Sequence, residues 1–125
     1  MSEFKVAQDL IENNCRVCYT PGQYPYDLIG DHDGELFKIQ VKTAKKKPNQ
    51  TQAYQIRTKG YDGDDVDLFA GYISEKDTEF YFPYEEAGSY CSVTFTPRYS
   101  LSDHNAELAH LADDHTFESV VDRLL

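Results

Sequence analysis

The chain has no tryptophan, one methionine and only three cysteines among its 125 residues. Cys15, Cys18 and Cys91 are too few, and odd in number, for a disulfide scaffold, so a reducing cytoplasm is expected. No Cys or His pair at matching spacing follows Cys15-x-x-Cys18. The pair therefore reads as two small core residues at a helix-to-strand junction rather than half a zinc site. No apolar run approaches the length of a membrane span and no N-terminal signal peptide is visible, so no membrane partner is expected. No repeat and no long linker is visible either. The length suits one compact domain with one core, spanning 1–125.

A second absence is local. The net charge is −10, yet no acidic residue occurs between Leu36 and Tyr61. That window holds seven of the twelve basic residues: Lys38, Lys42, Lys45, Lys46, Lys47, Arg57 and Lys59. The other 99 positions carry 22 acids against five bases. Such a distribution predicts a positive face that meets phosphate on an otherwise negative body. The acids outside the window are scattered rather than gathered in a tail, as on proteins from salt-loving organisms. A haloarchaeal cell or its virus is the expected setting. At molar salt counterion release contributes little affinity, so a nucleic-acid contact would rely more on shape, metal ions and direct hydrogen bonds.

What is present is a hairpin with chemistry on it. Residues 26–31 and 36–43 read as strands joined by Asp33-Gly34, a pair suited to a two-residue type I′ turn. In that register His32 faces Glu35 and Asp27 faces Gln40. Lys42, two residues on, shares the face of Gln40, while Phe37, Ile39, Val41 and Thr43 point into a core. A slip of one residue would scatter the cluster. A carboxylate, an amide carbonyl and an ammonium together suit a divalent metal and a phosphodiester. The plain alternative is a cross-strand Asp27–Lys42 ion pair worth little.

Elsewhere the periodicity predicts a helix from about Glu3 to Asn14, capped by Ser2, with Phe4, Ala7, Leu10 and Ile11 on one face. Strands are expected at 16–19, 54–58, 66–73, 79–84 and 92–96, with 66–73 central. Residues 45–52 read as a basic loop. Leu108, Leu111 and Ala112 open a helical C-terminus, and Thr116 caps a last helix bearing Phe117, Val120, Val121 and Leu124. Asp67 fits a strand-end cap, and His104, His110 and His115 read as surface residues. Helix, strands, then helix make an α/β (α+β) sandwich.

Asp27, twelve residues, then Gln40-Val41-Lys42-Thr43-Ala44 resembles the signature of the PD-(D/E)XK nuclease superfamily. It is most similar to the small archaeal and intron-associated endonucleases, including Holliday junction resolvase-like proteins, in which Gln replaces the second acid. Glu3 lies fourteen residues before Val17, as a helix-1 Glu does in that branch. Asp67-Leu68-Phe69-Ala70-Gly71-Tyr72 and Phe80-Tyr81-Phe82-Pro83 are similar to the strand and hairpin that follow. The likeness covers roughly 3–87, leaving 92–125 as a C-terminal extension. Tyr26 stands where the family name has Pro, with Pro25 one position earlier, and the neutral Gln40 removes one negative charge from the site.

The resemblance implies a restriction-endonuclease-like core with a mixed sheet, and metal-dependent hydrolysis of DNA. Asp27, Gln40, the Val41 backbone carbonyl and Glu3 would hold Mg²⁺ or Mn²⁺. Lys42 would orient the nucleophile or neutralise charge. Lys38, Lys45, Lys46, Lys47, Arg57 and Lys59 would contact DNA. Branched DNA and a mobile-element target are both open as substrates, and a catalytically inactive DNA-binding module is the alternative function. Resolvases of this fold are dimers, so a homodimer is expected. The stripe Phe117, Val120, Val121 and Leu124 serves either that interface or the sheet.

Overall fold

The computed structural model describes residues 1–48, 52–96 and 110–124. It is an α+β architecture with two sheets. The first has the strand order β1 (Arg16–Tyr19), β2 (Leu28–His32), β3 (Glu35–Thr43), β6 (Leu68–Ile73), β7 (Thr78–Pro83). All neighbours in it are antiparallel except β3 and β6, which run parallel. A parallel pair needs a long crossover. Here the crossover builds the second sheet, β4 (Lys45–Lys46) and β5 (Ala53–Arg57), later completed by β8 (Tyr90–Thr94).

The hairpin has the register its turn dictates. Asp33 (φ 53°) and Gly34 (φ 90°) both take positive φ, as a type I′ turn requires, and His32 pairs with Glu35 and Leu28 with Ile39. Alternation then sends Phe37, Ile39 and Val41 into a core shared with the helices α1 (Ser2–Glu12) and α2 (Phe117–Leu124). β6 is buried throughout because both its faces are covered: Leu68, Ala70 and Tyr72 join that helical core, while Phe69 and Ile73 join Tyr54, Ile56, Cys91 and Val93 under the second sheet. The apolar run from Val66 reads as a strand from its first residue, but the ladder begins at Leu68. Asp67 takes the place of a ladder partner: its N–H donates to the Lys38 carbonyl and its carboxylate accepts the Lys38 N–H.

Several expectations shift. Ser2 lies inside α1 rather than capping it; Met1 occupies the cap position without a side-chain bond. The buried stripe of α1 is Val6, Ala7 and Leu10, so Phe4 and Ile11 are exposed on its outer side. Cys15 is buried but Cys18, on an edge strand, is exposed. Lys45 and Lys46 form a short strand rather than loop. Ala112 opens a 3-10 turn (Ala112–His115), and Leu108 and His104 lie outside the described residues. His115 is buried, stacked on Phe82 at 4.0 Å, donating from Nδ1 to the Tyr81 carbonyl (2.9 Å). Burial, before the nearby His110, pulls its pKa below the usual value. Thr116 does cap α2, accepting the Ser119 N–H. The α2 stripe packs on the sheet.

Candidate active site

Asp27 is fixed at three points just ahead of β2. Its N–H donates to the Ile39 carbonyl (2.9 Å), its carbonyl accepts the Thr20 N–H (3.1 Å), and its Oδ2 accepts the Val41 N–H (2.9 Å). Among the described residues its other carboxylate oxygen has no hydrogen-bond partner. Gln40 follows Ile39 on β3, half-buried, with its amide unbonded among the described residues.

Asp27, Gln40 and Val41 line an open cleft of about 410 Å³. Glu3 reaches the same cleft from the first turn of α1. Ser2 and Thr43 close its rim with their hydroxyls 2.5 Å apart. That contact joins the start of α1 to the end of β3. Sequence reasoning missed it, although Thr43 follows Val41 at a strand period of two.

Two further contacts hold α1 in place and so hold Glu3 at the rim. The Tyr81 hydroxyl donates to Asp9 (2.7 Å), and burial together with that carboxylate pushes the phenol well above its usual pKa. Lys5 pairs with Asp77 (3.1 Å), which also accepts from the Tyr72 hydroxyl (2.7 Å). The hydrogen bond to Asp77, then burial, pushes Tyr72 up to about 12.

Beside Met1, Ser2 and Thr43, the cleft is lined by residues that carry hard oxygen donors: Glu3, Asp27, Gln40 and Val41. A free carboxylate oxygen, an amide carbonyl, a backbone carbonyl and a second carboxylate suit a hard cation such as Mg²⁺ or Mn²⁺. Among the described residues no three His, Cys, Asp or Glu side chains gather into a metal-binding group, so such an ion would depend on Gln40. Lys42 shares the face of Gln40 but lies beside the cleft. Its ammonium sits over the Tyr61 ring, 5.0 Å from the centroid, and makes no ion pair with Asp27. Tyr61 in turn packs edge-on against Phe69 (5.4 Å).

The sequence model of the PD-(D/E)XK endonucleases matches residues 1–117. The chain belongs to the PD-(D/E)XK endonuclease family. Among solved structures, a bacterial homing endonuclease, I-Ssp6803I, is similar at 25% identity and a TM-score of 0.64, over 77% of this chain and 72% of that one. No curated protein matches.

The basic residues of this endonuclease are spread over strands of both sheets. Lys38 donates to the Asp64 carbonyl and lies 5.8 Å from the Tyr26 ring centroid. Lys46 pairs with Glu75 (3.5 Å). Lys45, Lys47, Arg57 and Lys59 make no ion pair among the described residues. None of the six lines the cleft. No helix of the described residues is long and apolar enough to cross a membrane.

Proposed function

We propose that the chain is a single-domain, metal-dependent endonuclease that hydrolyses DNA phosphodiesters, with Asp27, Gln40, Lys42 and Glu3 as its working residues. The reading rests on the shared cleft, which Asp27, Gln40 and Glu3 line together, in a chain whose family is nucleolytic. Asp27, the amide oxygen of Gln40, the Val41 carbonyl and Glu3 would hold Mg²⁺ or Mn²⁺. Such an ion supplies a water of lowered pKa and charge stabilisation at the phosphate. The protein supplies the rest. The Val41 N–H fixes the orientation of the Asp27 carboxylate. Gln40 offers a neutral hard oxygen in place of a second acid, which favours a loosely held ion. The Lys42 ammonium, half-buried and steadied by Tyr61, neutralises charge that develops on the phosphate.

The Gln-x-Lys form of the motif supports membership of the intron-associated branch. Of the two substrate versions, a mobile-element target is favoured over a branched junction by the likeness to a homing endonuclease. A homodimer would deliver two symmetric cuts. The scattered acids favour a cytoplasmic setting in a salt-loving archaeon or its virus.

The test is cleavage of supercoiled, linear and branched DNA with Mg²⁺ or Mn²⁺. Asp27→Ala should abolish cutting, and Lys42→Ala should slow it by about 10²–10³-fold. Full cutting by Lys42→Ala would remove that lysine from the site. Binding without cutting on every substrate would leave an inactive binding module of the same fold.

A further inference from the structure

The second sheet divides the basic window by parity. Its inner face, Tyr54, Ile56, Cys91 and Val93, is packed on the first sheet. Directly paired residues share a face, so the register sorts the rest. Lys46 pairs with Tyr54 and belongs to the inner side, and both reach the same Glu75 carboxylate. Lys45 pairs with Gln55, and Gln55 with Ser92, giving one cross-strand row on the outer face. Arg57 and Tyr90 make the next row. Lys45, Arg57 and Tyr90 are exposed, Tyr90 by 55%. β4, β5 and β8 contain no Asp or Glu, in a chain carrying 22 of them.

We propose that this outer face is a second contact surface for duplex DNA, separate from the cleft. The proposal deepens the nuclease reading and rests on it for the class of ligand. An acid-free, cationic face on a body of net charge −10 is complementary to a phosphate backbone and to little else in a cell. Lys45 and Arg57 take phosphates. Gln55, beside Lys45 and two residues before Arg57, and Ser92, its partner on β8, present amide and hydroxyl groups to base edges. Lys46, turned to the inner side and held by Glu75, takes no part.

The experiment measures equilibrium binding of a labelled duplex across a salt series, and cleavage of the same duplex separately. Lys45→Gln with Arg57→Gln should lower the slope of log affinity against log salt by about two. Arg57→Lys, which keeps the charge, should restore its share, and Lys46→Gln should leave the slope where it was. An unchanged slope in the double variant, or an equal loss with Lys46→Gln, would overturn the face assignment while leaving the nuclease reading intact. A slope that falls as expected in a protein that cuts no DNA would sustain the surface and overturn the nuclease reading.

Discussion

Glu79 is half-buried on β7, near Asp9, Asp77 and Lys5. Burial first, and then the Asp9 and Asp77 carboxylates, push its carboxyl from 4.5 up to about 7. The folded protein therefore holds a proton that the unfolded chain has released. Stability from this residue is full below pH 4.5, declines as pH rises, and is gone above about pH 7. Glu79→Gln should melt at a higher temperature than the native protein at pH 8 and converge with it in acid, which a melting series against pH would check. Residue-level reading of the sequence named Asp27 and Gln40 from a type I′ turn and a strand period and Glu3 from a family resemblance, and all three line one cleft. It did not find the three bonds that hold Asp27. Nor did it place Lys42 over Tyr61, because that contact comes from a loop nineteen positions away.

At the level of elements, the close approach of β6 to β7 depends on Gly71. A Cβ there would lie 2.4 Å from the Phe80 ring, in a packed region with nowhere for the ring to go. Gly71→Ala should cost about 1–3 kcal/mol of unfolding free energy, measured in denaturant. Because Gly71 pairs with Lys42, the same change should also disturb the strand that carries the site. The hairpin, β6 and the capped last helix were legible because local chemistry decides them: an Asp-Gly turn, an unbroken apolar run, a threonine at a helix start. The exposed Phe4 and Ile11 were misread because a helix that is apolar on two sides does not say which side meets the sheet. The second sheet was only partly legible. β4 has two lysines and no apolar pattern, and pairing with β5 alone makes it a strand.

For the whole molecule, the acids and bases work at different distances. A net charge of −10 repels itself across the surface, and screening relieves that repulsion. The melting temperature should therefore rise with added potassium chloride over the same range in which DNA binding weakens, which calorimetry and binding titrations on one salt series would show. Opposite salt responses of fold and ligand were legible from composition, since both follow from counting charges. The partition of the lysines between two sheet faces was not, because it needs the register. The three sulfur atoms are just as unequal. Cys15 and Cys91 are enclosed, and burial raises both thiols to about 11. Cys18 alone meets solvent, on the outermost strand. A maleimide dye should thus attach to the native chain at one known edge, and energy transfer between differently coloured copies would report whether two molecules meet on a DNA target, with no engineered residue at all.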